Sequence, residues 1–165
     1  MSDPSGVKGG KMPDLTILVA YNFTRQDQKA LDFLLNTLAH LPNTDITLFH
    51  GYTPVPEISS RENPIMEKVR GNLSYLNQTI RNQQESLEQA KTHLAAKGFA
   101  ADRINTLFKP RKKDVAAEII DLAKRRAFDM VILNRNPGKV TRFFSGSVYN
   151  KVVQAVRGIA VCVVS

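Results

Sequence analysis

A chain of 165 residues with 42% apolar and 23% charged side chains is long enough for one substantial core and is expected to form one soluble domain. Its formal charge of +8 favours anions in general, but no zinc-finger spacing, RNA-binding signature or basic heptad region accompanies it, so nucleic acid is not an expected partner. The lone Cys162 excludes an internal disulfide. No apolar run approaches a membrane span of roughly 18 residues or a signal-peptide core, so a cytoplasmic protein is expected.

Residues 1–13 are polar, contain Gly and Pro, and lack periodicity; they are read as a disordered arm ahead of a domain over 14–165. The apolar run 15–21 is the first predicted strand. Thr24 is a good N-cap with Asp27 three residues on, where a carboxylate faces a helix N-terminus favourably. Leu31, Leu34, Leu35 and Leu38 share one face of that helix, which stops before Leu41-Pro42. Residues 46–50 form the second strand and lead into a Pro-rich, aperiodic loop over 53–64.

The longest helix is predicted from residue 64 or 65 to Lys97, closed by Gly98 at the C′ position. Leu73, Ile80, Leu87 and Leu94 recur every seven residues, with Val69, Leu76 and Ala90 at the offset positions and Gln83 breaking that second row. A coiled coil wants this stripe, and so does a helix lying on a sheet. The polar break and the limited length favour the sheet.

Residues 103–108 are the third strand. Asp114 then caps a helix with Val115, Ile119, Leu122 and Ala123 inward and Lys124-Arg125-Arg126 near its C-terminus, where cations are favoured. Asp114, Glu118 and Asp121 on this helix are expected to face water. The short apolar run 130–133 suits a strand buried on both faces. A basic loop follows, with a turn signal at Asn136-Pro137-Gly138. It ends at Ser145-Gly146-Ser147, ahead of a helix carrying Val148, Val152, Val153 and Val156. After Gly158 comes the last strand, 159–164, in which Cys162 is read as a small buried apolar residue. The basic runs at 109–113, 124–126 and 135–142 are read as solvated faces.

Strand and helix alternate throughout, which means a parallel sheet with helices on both faces and right-handed crossovers. Catalytic patterns are missing. His40, His50 and His93 are scattered without metal-ligand spacing, Phe144-Ser145-Gly146-Ser147-Val148 is not a nucleophile elbow, and neither phosphate-loop fingerprint occurs. No enzyme is expected. What remains is the order strand, basic loop, Gly-Ser, helix, which presents backbone N–H groups and a positive helix end to an anion. Ligands settle at strand carboxyl ends where the winding of such a sheet reverses. If strand one lies beside strand four, Asn22 and the loop over 134–147 face one crevice.

Residues 17–24, the long second helix, residues 128–132, Gly146-Ser147-Val148 and the apolar terminal strand together resemble the universal stress protein family from Leu15 to Val164. The resemblance implies a three-layer α/β/α sandwich of the adenine nucleotide alpha hydrolase-like type, with a five-stranded parallel sheet in the order 3-2-1-4-5. It also implies a homodimer paired through strand 159–164. Nucleotide-binding members carry an acidic residue after strand one, then Gly-x-x-Gly, nine residues and Gly-Ser or Gly-Thr, and hold ATP between these segments. Here Gly146-Ser147-Val148 is intact, whereas Leu133 and Asn136 stand at the two glycine positions and Asn22 replaces the acid.

Leucine at 133 puts a branched side chain where glycine admits close backbone approach. Asn22 loses charge-assisted acceptance, and asparagine at 136 tolerates a left-handed backbone. Two readings follow from the resemblance. One is a dimeric interaction module with a degraded ATP motif, engaging protein partners. The other is a protein binding ATP or another adenine nucleotide through Ala20, Asn22, Gly146, Ser147 and Val148, with Arg135, Lys139 and Arg142 neutralising phosphate.

Overall fold

The computed structural model describes residues 14–55, 65–135 and 148–165. The expected arm over 1–13, most of the Pro-rich loop, and the turn and Gly-Ser segment within 136–147 lie outside these residues. Along the chain run β1 (Leu15–Ala20), α1 (Arg25–Thr37), β2 (Thr44–Tyr52), α2 (Ile65–Ala96) and, after a 3₁₀ turn at Ala101–Arg103, β3 (Ile104–Pro110). Then follow α3 (Val115–Arg125), β4 (Met130–Asn134), α4 (Val148–Ala155) and β5 (Ala160–Val164). All strand pairs are parallel, in the order β3-β2-β1-β4-β5.

Alternation along the strands builds two cores. Ile17 and Val19 of β1, with Ile46, Leu48, Ile104 and Ile132, meet Ala30, Leu31 and Leu34 of α1 and Leu87, Ala90 and Leu94 of α2. Leu18 and Ala20, with Phe49, Val131 and Leu133, meet Ile119 and Leu122 of α3 and Val152 and Val156 beneath α4. The result is the three-layer sandwich, with α1 and α2 on one face and α3 and α4 on the other. Each fully buried Leu or Ile contributes about 1.5–3 kcal/mol, so these two interfaces carry most of the fold.

Strand ends follow their neighbours rather than their own hydropathy. β2 outruns its apolar run at both ends because Thr44 pairs with Leu15 and Tyr52 with Pro110. The seam between β1 and β4 is tied at its start by Asp129, whose carboxylate accepts the Thr16 N–H and hydroxyl, each at 2.7 Å. Those hydrogen bonds hold the Asp129 carboxyl below its ordinary range.

Three expectations are corrected. Glu118 does not face water: it is buried and accepts Lys109 Nζ at 2.7 Å and the backbone N–H groups of Lys112 and Lys113 at 2.7 and 3.2 Å. The preceding basic loop folds over it, so only its helix neighbours look like a solvated face. Cys162 is only part-buried, because β5 is an edge strand. Finally, α2 covers the sheet over its C-terminal part alone. Its 32 residues span roughly 48 Å against roughly 23 Å for β3. No residue from 69 to 86 is buried.

Candidate functional site

The winding reverses between β1 and β4, and the chain leaves β1 there through a tight bend. Tyr21 still donates its N–H to Phe49 at 2.8 Å, and Phe23 then takes φ of 59°, a left-handed value uncommon for a bulky residue. The bend aims successive amides at one carboxyl group. Asp27, fully buried at the third position of α1, accepts the Asn22 N–H at 3.1 Å and both the N–H and the hydroxyl of Thr24. The N-cap signal in the sequence thus becomes a buried hub at the reversal point.

Asn134 closes the hub from the other side. Its amide nitrogen donates to Asp27 and, at 3.4 Å, to the Ala20 carbonyl. With the nitrogen so committed, Oδ1 is a buried acceptor for which no donor exists among the described residues. Leu133, one residue earlier, points the opposite way, into the core under α3 and α4. Leu133 therefore packs in the core and does not narrow the crevice, while strand alternation sends Asn134 to the opposite face, toward Asp27.

Beside the hub lies a crevice of about 340 Å³ at the carboxyl ends of the strands. Asn22, His50, Tyr52 and Arg111 line its floor and rim, and Leu76, Ile80 and Gln83 of overhanging α2 form its wall. An aromatic row supports the floor: Phe23 packs edge-on against His50 at 4.6 Å, and Phe108 stacks on both His50 and Tyr52. His50 Nδ1 lies 2.7 Å from the Tyr21 carbonyl, so this nitrogen carries the proton and Nε2 is the acceptor. Burial, reinforced by Arg111, holds the imidazole below its ordinary range despite the opposing pull of the Tyr21 carbonyl and Asp27. Neutral His50, the Asn22 amide and cationic Arg111 give the crevice both acceptors and donors and one positive charge.

Of the expected site residues, the fold brings Ala20 and Asn22 to this point. Arg135 is exposed at the end of β4, its N–H held by the Val164 carbonyl at 2.8 Å. Val148 opens α4 and is exposed. Asn136, Lys139, Arg142, Gly146 and Ser147 lie outside the described residues. Asp27, His50 and Arg111 were not among the expected site residues, and Asn134 was expected only as the start of the loop facing the crevice. Asn134 and Arg111 sat inside runs read as loop or solvated face, and His50 drew notice only as a metal ligand. Among the described residues no group of three His, Cys, Asp or Glu side chains is placed to hold a metal ion.

Comparison with known proteins agrees with this architecture. The sequence pattern of the universal stress protein family matches residues 15–163. Universal stress protein UspA from Lactobacillus plantarum is 19% identical with a TM-score of 0.66, over 94% of this chain and 100% of that one. A universal stress protein from Archaeoglobus fulgidus in complex with dAMP is 18% identical with a TM-score of 0.57, over 94% and 98%. A universal stress protein in complex with cAMP is 16% identical with a TM-score of 0.56, over 91% and 95%. No curated protein sequence matches significantly. With the family pattern spanning nearly the whole domain and the strand order that goes with it, the chain belongs to the universal stress protein family.

Proposed function

We propose that this universal stress protein binds an adenine nucleotide at the β1–β4 reversal point without turning it over, as a cytoplasmic homodimer joined along β5. The observation that carries the reading is Asn134 Oδ1, a buried acceptor with no donor among the described residues. A buried acceptor without a donor costs about 1–3 kcal/mol, and the exocyclic amino group of adenine is a donor of the right kind. The turn of Leu133 away from the crevice supports the same reading, since the space that a glycine would leave there is not filled by leucine. The neighbours solved with dAMP and cAMP bind ligands of this class.

Asn22 and the Ala20 backbone serve base and ribose in this reading. Gly146, Ser147 and Val148 offer backbone N–H groups to phosphate, and Arg135, Lys139 and Arg142 supply charge. Binding is weak because asparagine at 22 accepts a hydroxyl proton without the gain of a carboxylate. The dimer is supported by β5, an edge without a neighbour on its outer side among the described residues and with Val163 exposed, which a two-fold mate would cover.

A second reading, an interaction module free of nucleotide, is favoured by Asp27. Both oxygens of the acid nearest the crevice are spent on Asn22, Thr24 and Asn134. The chain has no Trp and 4 Tyr, so co-purified nucleotide would stand out as excess absorbance near 260 nm. Calorimetry with ATP, AMP and cAMP completes the test. No excess and no heat leaves the second reading, and phosphate release above the protein-free rate overturns the non-enzymatic assignment.

A further inference from the structure

Phe23 holds a backbone shape that its own side chain disfavours. Its φ of 59° lies in the left-handed region, which glycine enters freely and a bulky residue does not. Such strain persists only where the surroundings fix the residue, and it gathers at places that bind. Core packing alone does not account for it, because Phe23 is only half-buried against the core under α1 and α2. Its ring meets Tyr21 at 5.2 Å and His50 at 4.6 Å, both edge to face, so neither ring lies stacked on it.

The same ring lines a cleft of about 310 Å³ whose other lining residues all belong to α2. Most polar groups of that wall are already satisfied: Gln78 donates to Asn82, and the Thr79 and Ser86 hydroxyls donate to the Tyr75 and Asn82 carbonyls. Gln83 makes no such bond among the described residues. None of the lining residues is charged, so a phosphate finds no partner there. An aromatic ring facing an uncommitted amide suits a flat ring with polar edges. Thr79 and Gln83 also line the crevice, so the two spaces adjoin. Asp27 binds the amides of Asn22 and Thr24, on either side of Phe23, and also Asn134. The residue that carries the ring and the acceptor assigned to the exocyclic amino group are thus one carboxylate apart.

Given an adenine nucleotide at the reversal point, we propose that its base enters this second cleft, with its face stacked on Phe23 and an edge meeting Gln83. Phe23 is then a specificity-determining residue that selects flat heteroaromatic ligands.

Calorimetry of the full chain with AMP tests this. Phe23→Leu keeps an apolar side chain against the core but offers no π face, and Phe23→Gly suits the left-handed backbone; circular dichroism checks that each folds. Both are expected to bind AMP about tenfold more weakly than the wild type, the worth of one stacked base. Phe23→Tyr, which keeps the ring, is expected to bind as the wild type does. Stacking should also lower the ultraviolet absorbance of AMP bound to the wild type and to Phe23→Tyr, a signal that a packing role does not produce. Equal AMP affinity in the wild type and Phe23→Leu overturns the stacking while leaving the nucleotide reading in place. A loss in Phe23→Tyr as large as in Phe23→Leu also overturns it, since the ring is kept. No AMP binding by the wild type overturns both.

Discussion

Asn134, the last residue of β4, donates its side-chain amide to Asp27, the third residue of α1, across 107 positions of chain. The contact ties β4 to the helix that follows β1, and it leaves the remaining amide oxygen buried with no donor among the described residues. Local capping and long-range assembly thus meet in one carboxyl group.

Removing that group should be expensive. Asp27→Ala deletes a helix cap worth about 0.5–2 kcal/mol and strands buried donors at about 1–3 kcal/mol. A loss of about 2–4 kcal/mol is expected in urea unfolding. Asp32→Ala, at an exposed acid on the same helix, should stay within about 0.5 kcal/mol. Equal effects for the two would deny Asp27 its hub role.

Glu118 predicts an acid limb to stability. The hydrogen bond from Lys109, aided by the Lys112 and Lys113 amides, pulls its carboxyl from 4.5 down to about 2. Its folded value is depressed, so its stabilisation is complete above about pH 4.5 and is lost as pH falls toward about 2. Unfolding measured across that window should be steeper for the wild type than for Glu118→Gln. The variant should also be about 2 kcal/mol less stable near neutrality, through loss of charge-assisted bonds. Superimposable pH profiles would mean that Glu118 is not the group responsible.

Asn22→Asp restores the acid that nucleotide-binding relatives carry. Its side chain lies at the crevice, so the exchange should raise adenine-nucleotide affinity about tenfold, the worth of about 1.4 kcal/mol. Calorimetry reads this directly. Unchanged affinity in a variant that still binds would place the ribose elsewhere.

Gly98 takes φ of +133°, which lets the Phe99 N–H reach the Leu94 carbonyl at 3.2 Å and close α2. An added Cβ would meet only Ala39 Cβ, at an ordinary 3.5 Å, so the strain of Gly98→Ala lies in the backbone. A loss of about 1–2 kcal/mol is expected. A stable Gly98→Ala protein, by the same unfolding measurement, would show that the helix end relaxes freely.

Periodicity revealed most of the fold because burial wrote it. Ile17 to Ala20, Leu31 with Leu34, and Leu87 with Leu94 occupy the faces that their spacing assigns. The site was harder to read for a physical reason. Leu133 and Asn134 are adjacent, and the pleat sends them to opposite faces, so a position counted in a motif does not say which way its side chain points. Glu118 looked solvated because no pattern on α3 reveals that residues 109–113 fold back over it. The stripe on α2 was visible in full, but the sheet's short reach, which decides where covering stops, is a property of other segments.

Leu76 and Ile80 belong at once to the crevice wall and to the stripe on the free half of α2. Whatever settles those two side chains on one side changes the free energy of events on the other, and by the same factor in each direction. Filling the crevice and settling the part of α2 beyond the sheet are therefore linked equilibria. The reach of α2 past the sheet thus makes one helix a part of both the buried core and the rim where a ligand would sit.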